Sequence, residues 1–568
     1  MKLEYLTKQR NYKAIYRTAL LVFAFTFGLF YMFLMYQHPH EDAYILFIYV
    51  KNFVAGHGIS YFAGAEPAEG ATDFLWFMLI SLGHWLGFYP AIAAALINAL
   101  SAGVIFMLIA SILKKHLSLE NLNIYHLAVI ALCIIISPVF TGSIYGFSVY
   151  FYAAAFLFLF YVIAYAPIKY LVYIPLIGVM IALIRPDGVM PSIAATLTIF
   201  VYIMRHHKEL VKPYFKYSVI ALVIGACYFI GRYHYFGLLF PLPIYVKSTS
   251  TLMFPGMETF KYWCLNSGIL LILLSTVFLE IIKPKNRVLL GLIPPVILLV
   301  SFLFFVPSQN ESYRFQNATY FIFITFFISL IFDNSFIKAE FHKKIYLLNA
   351  ILFLLFIASN IDETMHEIND TNINPYIEVM SYHLNKDMPD DMKTVLTEAG
   401  LFTYWGNGEF YDVIGLNTPE TAINGPSAAW VARTNPDLLF FHTAGHFKVP
   451  AYITDQTYYH LSNQEFRDIY KRANLKFNKS ERSDTRGAAE MLKFLNQNSA
   501  DFSMVIVPYH DSTYHNQILV HFYAVRKTGK LTFESVIRAI KKSHQSRYHY
   551  GYLALERKVS GKLLNNGL

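Results

Sequence analysis

Charge is what this chain has least of. Acidic and basic residues fill 15% of its 568 positions, against about 25% in soluble proteins, so an ordinary soluble domain is excluded. Cysteine is almost absent too. Cys133, Cys227 and Cys264 all lie in or beside apolar stretches, which leaves no disulfide framework and no cysteine spacing for zinc. There is no Walker-type loop, no Rossmann glycine pattern with its acidic partner and no zinc motif. No internal repeat and no low-complexity segment occurs. The first apolar segment lacks a small-residue cleavage site and many more follow it, so it reads as an anchor and not as a signal peptide.

Apolar residues fill the space that charge leaves. The chain is 56% hydrophobic and 17% aromatic. Apolar stretches of about 16–24 residues recur through the first 360 positions, long enough to cross a hydrocarbon core about 30 Å thick. This pattern predicts a polytopic α-helical membrane protein with about 11 transmembrane helices. They fall near 18–37, 91–113, 124–139, 147–165, 169–184, 189–204, 217–236, 264–282, 288–306, 317–333 and 345–360.

The net charge of +9 follows the same plan. Lys2, Lys8, Arg10, Lys13 and Arg17 precede the first span, and further clusters (Lys114-Lys115, Lys169, Arg205 to Lys216, Lys283 to Arg287, Lys338 to Lys344) fall in every second loop. Positive charge gathers on the cytoplasmic side, so the N-terminus is expected there. The segment 72–87 is apolar enough to be a span, but counting it as one would invert every later loop. An interfacial or re-entrant helix is the expectation for it.

Residues 1–361 thus read as the membrane domain, with a long outer loop at 38–90, and residues 362–568 as a soluble α/β domain outside the membrane. In the latter, 393–397, 437–441 and 504–507 are short apolar runs typical of buried strands, and Phe533, Val536, Ile537 and Ile540 recur at helical spacing.

The outer loops carry the patterned polar residues. Two acids, Glu41 and Asp42, stand where the first span leaves the bilayer, and ionisable groups at a lipid boundary are costly and commonly functional. Behind them come Lys51-Asn52, Gly56-His57-Gly58, Glu66 and Glu69-Gly70-Ala71-Thr72-Asp73-Phe74-Leu75-Trp76. Later loops contain Arg185-Pro186-Asp187-Gly188, a stretch from Arg232 through Tyr235, Pro241 and Tyr245 to Lys247, and Tyr313-Arg314-Phe315. The tail adds Glu398-Ala399-Gly400, Tyr404-Trp405 and Tyr411-Asp412 through Asn417.

In this order the segments resemble the GT-C polyprenyl-phosphate-dependent glycosyltransferases. The nearest group is that of the mycobacterial terminal β-(1,2)-arabinofuranosyltransferase and its proteobacterial relatives. Ser148 stands where a Glu is frequent in that group, and Leu242-Pro243 replaces a usual Asn-Thr pair. The resemblance implies a GT-C-like enzyme of the bacterial inner membrane with a periplasmic C-terminal domain. Its sugar, a pentose such as arabinofuranose or a hexose, would pass from a polyprenyl-phosphate donor to an envelope glycan or lipid-linked acceptor. No nucleic acid is expected as a partner.

Such chemistry needs a base for the acceptor hydroxyl and positive charge for the departing phosphate. Asp42 and Glu41 are the candidate catalytic acids, or ligands of a divalent cation such as Mg or Ca. Arg232, Lys247, Arg185, Arg314 and His57 are the candidates for donor phosphate, since Arg and Lys stabilise charge on a leaving group. Interfacial cations also snorkel to lipid phosphates, and Asp187 is an available partner for Arg185. Lys51, Asn52, Glu69, Thr72, Asp73, Trp76, Tyr235 and Tyr245 are the candidate substrate contacts, with Trp76 and Tyr235 equally suited to the interfacial aromatic belt. Two readings of another kind compete: a lipid-linked sugar flippase and a non-enzymatic envelope scaffold.

Overall fold

A computed structural model describes residues 2–117, 122–247, 256–266, 286–304, 313–332, 358, 375–443, 451–454, 457–473, 483–511, 517–546 and 551–557. The spans expected at 264–282 and 345–360 lie almost wholly outside the described residues, as does the boundary expected at 361–362.

Among the described residues five helices are long and apolar enough to cross a membrane: Tyr12–Tyr36, Pro90–His116, Pro186–His206, Lys208–Phe236 and Asn286–Phe304. Four shorter apolar helices accompany them, Phe74–Trp85, Ile124–Ile135, Val149–Ala164 and Ile168–Ile184. The helices at the expected spans thus differ in length. Proline explains part of the difference. The apolar run expected at 124–139 stops as a helix at Ile135, with Pro138 capping a second short helix, Val139–Ile144. The run at 169–184 begins as a 3-10 turn, Ile168–Tyr173, behind Pro167. The run at 317–333 likewise opens as a 3-10 turn before the helix Tyr320–Phe332.

We label the elements in chain order as α1 (Lys2–Tyr36), α2 (Glu41–Val54), α3 (Phe74–Trp85), α4 (Pro90–His116), α5 (Ile124–Ile135), α6 (Val139–Ile144), α7 (Val149–Ala164), α8 (Ile174–Ile184), α9 (Val189–His206), α10 (Val211–Phe236) and α11 (Leu242–Lys247). The buried centre is α4. Its alanine-rich face lets neighbours approach closely, and a Cβ at Gly103 would lie 3.3 Å from the Ala19 carbonyl of α1. Helix α3 has 12 residues, about 18 Å at 1.5 Å per residue. It is shorter than a hydrocarbon core about 30 Å thick.

Helix α2 starts where two acids meet a helix N-terminus, an arrangement the macrodipole favours. His40 caps it, its Nδ1 accepting the Asp42 amide at 3.2 Å. At its far end Gly56 and Gly58 adopt φ of 87° and 77° and reverse the chain. A Cβ on Gly58 would sit 2.7 Å from the Tyr235 hydroxyl. These glycines shape a turn.

The tail domain is built on a six-stranded sheet in the order β2-β1-β3-β6-β5-β4, with β1 (Lys393–Leu396), β2 (Glu409–Asp412), β3 (Leu438–Thr443), β4 (Tyr459–Leu461), β5 (Phe502–Asp511) and β6 (Gln517–Arg526). Strands β2, β1 and β3 run parallel; β6, β5 and β4 pair antiparallel. Phe440 stacks on Tyr523 and Phe441 on Phe522 across the mixed seam. The expected helical pattern after Phe533 forms Phe533–Ser546.

The tail sits directly on the outer loop. Tyr49 donates to Asn417 Oδ1 at 3.1 Å, Tyr61 donates to the Ala399 carbonyl, and the Glu41 carboxylate accepts the Gly400 amide at 2.9 Å. The end of the chain closes the seat. Tyr552 is buried, bonds the Gln37 carbonyl through its amide at 3.1 Å and shares its hydroxyl with Tyr404 at 2.9 Å.

Candidate functional site

Helices α2 and α3, the turn Gly146-Phe147, the Arg185-Pro186-Asp187 corner, α11 and the loop around Leu416 enclose a cavity of about 330 Å³. That volume suits a small ligand group. Charged and polar walls come from Asp42, Thr72, Asp73, Arg185, Asp187 and Arg314; Trp76, Phe147, Phe302 and Phe315 supply apolar surface.

Two ion-pair stations line it. In the first, Arg314 Nη2 donates to Asp42 Oδ2 at 2.8 Å, joining residues 272 positions apart. In the second, Arg185 stands between two acids, with Nη1 3.2 Å from Asp73 and Nε 3.2 Å from Asp187. Ser148 and Thr72 donate to Asp73 at 2.7 and 3.0 Å, and Tyr152 to Asp187 at 3.3 Å. Ser148 is the N-cap residue of α7, yet its side chain makes no cap bond and serves Asp73 instead.

A ladder of alternating rings and cations ties the stations together. The Arg314 guanidinium lies 4.1 Å from the Phe147 ring centroid and 5.4 Å from that of Phe315. Phe315 is also 4.7 Å from the Arg185 guanidinium, which is 5.5 Å from Tyr152. Such contacts hold a cation where solvent is scarce. Just before Arg314, Tyr313 has φ of 49°, one of two non-glycine residues in the left-handed region among those described. Backbone of this kind costs on the order of 1–3 kcal/mol and gathers at functional positions.

The remaining candidates sit elsewhere. Arg232 forms a buried ion pair with Glu69 and also donates to the Leu238 and Leu239 carbonyls, fastening the outer loop to the end of α10. Neither lines the cavity. Burial raises the Glu69 pKa, and Arg232 pulls it back down. Lys51 turns to the tail, donating to the Tyr404 carbonyl at 3.2 Å over the Tyr404 ring, and burial lowers its pKa. Asn52 donates to the Ser60 carbonyl at 2.8 Å inside its own turn. His57 is exposed on that turn. The Tyr235 hydroxyl accepts the Ile59 amide at 2.9 Å, and Tyr245 lies beside Phe240. Lys247 ends α11, but its side chain is outside the described residues.

The two neighbouring acids on α2 have different partners. Asp42 faces the cavity and Arg314, whereas Glu41 engages the tail. No group of three or more His, Cys, Asp or Glu suited to a metal occurs among the described residues. Of the two acids expected as cation ligands, Asp42 bonds the Arg314 guanidinium and Glu41 the Gly400 amide. Burial raises the Glu41 pKa, and the neighbouring Glu398 and Asp42 raise it further.

Sequence reasoning missed Phe147, Phe302, Ile244 and Leu416 as cavity walls. The signal for Leu416 lies in Asp412, which accepts the Ile414 amide at 2.8 Å and the Asn417 amide at 3.0 Å and so folds the loop presenting it. Burial pushes the Asp412 pKa up to about 6 against these bonds.

Residues 365–503 match a family model described as "Domain of unknown function (DUF8728)". No curated protein matches the sequence. The crystal structure of ArnT from Cupriavidus metallidurans in the apo state superposes with a TM-score of 0.52 at 12% identity, covering 75% of this chain and 92% of that one. The chain has an ArnT-like fold. The same ArnT bound to undecaprenyl phosphate gives a TM-score of 0.49 at 11% identity, covering 76% and 92%. At 12% identity the likeness is one of fold. The arabinofuranosyltransferase branch receives no support from these comparisons.

Proposed function

We propose that the chain is a membrane glycosyltransferase that moves a sugar from a polyprenyl-phosphate donor to an envelope glycan or lipid-linked acceptor at the outer membrane face. The observation that carries this reading is Asp42, a cavity-facing carboxylate at a helix N-terminus, 2.8 Å from a guanidinium with a second guanidinium on the same wall. In transfer, the acceptor hydroxyl gives its proton to Asp42 and its oxygen bonds the anomeric carbon. The bond from that carbon to the phosphate oxygen breaks, and the electron pair leaves with the phosphate. Arg314 and Arg185, packed against the Phe147 and Phe315 rings, are the cations that meet that charge.

The cavity's own balance bears on donor binding. Among the described lining residues three carboxylates (Asp42, Asp73, Asp187) face two guanidiniums (Arg185, Arg314). Helix α11 lends Pro243 and Ile244 to the wall and ends at Lys247, the further cation we assign to the donor phosphate. The incoming phosphate also competes with Asp42 for Arg314, which releases the base as the donor seats. The deciding experiment is Asp42→Asn in purified, folded protein given a panel of radiolabelled polyprenyl-phosphate sugars. Transfer is expected to fall about 10²–10⁴-fold, the usual contribution of a positioned base. Unchanged transfer would remove Asp42 from the reaction.

A further inference from the structure

A second, apolar groove lies at the other end of α7. Phe158, Tyr161, Val162, Tyr170, Tyr173 and Ile177 line it, around a volume of about 450 Å³. The cavity of the proposed transfer site begins at the α7 N-terminus beside Ser148. The helix has 16 residues, so the two ends are separated by about 24 Å. The groove is thus a distinct feature, at the opposite face of the helix bundle.

No described residue lining the groove is acidic, and cations surround it. Lys115 donates to the Tyr161 hydroxyl at 3.1 Å and to the Tyr165 carbonyl at 2.9 Å. The Lys169 ammonium is 5.2 Å from the Tyr170 ring. Lys216 flanks Tyr217, whose ring meets Tyr173 at 4.8 Å. Arg287 reaches the Val162 and Ala166 carbonyls at 3.2 and 2.8 Å and so ties the helix Asn286–Phe304 to the groove wall. Lys115 and Lys169 are exposed. These lysines belong to the loops whose charge marks the cytoplasmic side. An apolar slot with hydroxyls at its rim and two solvent-facing ammonium groups above it matches an acyl chain below an anionic headgroup.

We propose that this groove is a lipid site for an anionic phospholipid of the leaflet opposite the transfer cavity. Acyl chain lies against Phe158, Val162 and Ile177, and the phosphate sits between Lys115 and Lys169. The proposal is independent of the transfer reaction.

The test is native mass spectrometry of the full-length protein in detergent with equimolar phosphatidylglycerol and phosphatidylcholine. One phosphatidylglycerol is expected to be retained in preference, and Lys115→Gln with Lys169→Gln should lower its retention about tenfold while phosphatidylcholine is unaffected. Ile177→Trp, which fills the slot, should abolish retention of that lipid, and Arg314→Gln in the transfer cavity should leave it unchanged. Equal retention of the two lipids by the wild type would overturn the proposal. So would full phosphatidylglycerol retention in both groove variants, or its displacement by stoichiometric undecaprenyl phosphate.

Discussion

Two carboxylate–guanidinium pairs join the first outer loop to distant helices, and they differ in what surrounds them. Glu69–Arg232 is sealed, with side chains 7% and 3% exposed and Nη1 of the guanidinium donating to two carbonyls. Asp42–Arg314 opens on a cavity, with side chains 15% and 8% exposed and the Phe147 and Phe315 rings beside the cation. In the sequence both arginines looked alike, as cations in patterned outer loops. The structure separates a pair that fastens the loop from a pair that a ligand can reach. A salt bridge that opens on a cavity can exchange partners; one sealed away from solvent can only hold.

The comparison breaks or sharpens under substitution. The largest effect is expected for Asp42→Asn, which should lose transfer by about 10²–10⁴-fold while the melting temperature stays near that of the wild type. The sealed pair should do the reverse. Arg232→Ala leaves Glu69 buried and unpaired, at a cost of about 3–5 kcal/mol, read as a lower melting temperature in detergent. If Arg232→Ala instead melts normally and loses donor binding, the assignment of the two pairs is inverted. Phe315→Leu is expected to be milder. It removes the ring shared by Arg185 and Arg314, each contact being worth about 0.5–2 kcal/mol. Donor affinity should fall about tenfold on the same principle, with the thermal midpoint little changed.

How much of this was legible beforehand follows the range of the signal. Membrane class and the tail's β1, β3 and β5 were readable because hydrophobic pattern is local. Asp42, Arg185, Arg314, Thr72, Asp73 and Trp76, all singled out by motif, do meet at one cavity. What sequence could not supply was pairing. That Glu69 rather than a phosphate would take Arg232, across 163 positions, depends on how α10 packs. Glu41 and Asp42 are adjacent, but a helix aims successive side chains about 100° apart, so one meets the tail and the other the cavity. Helix lengths failed for a different reason. Hydropathy counts residues in a run and is blind to a 3-10 turn or a proline break within it, as at Ile168–Tyr173 and Pro138.

The smallest effect concerns Glu41, and it vanishes at low pH. Burial first, then Glu398 and Asp42, raise its pKa in the folded chain above the ordinary value of 4.5. A group whose folded pKa is raised contributes stability that is complete below the unfolded pKa. That contribution is lost as pH climbs through the folded pKa, because the unfolded chain releases the proton first. Glu41→Gln keeps an acceptor for the Gly400 amide, now bonded at 2.9 Å, and carries no titrating proton. Wild type and variant should therefore melt together near pH 4 and diverge as pH rises, the variant becoming the more stable. Melting curves across that range decide it. A constant offset at every pH would mean that folding leaves the Glu41 pKa where it is in the unfolded chain.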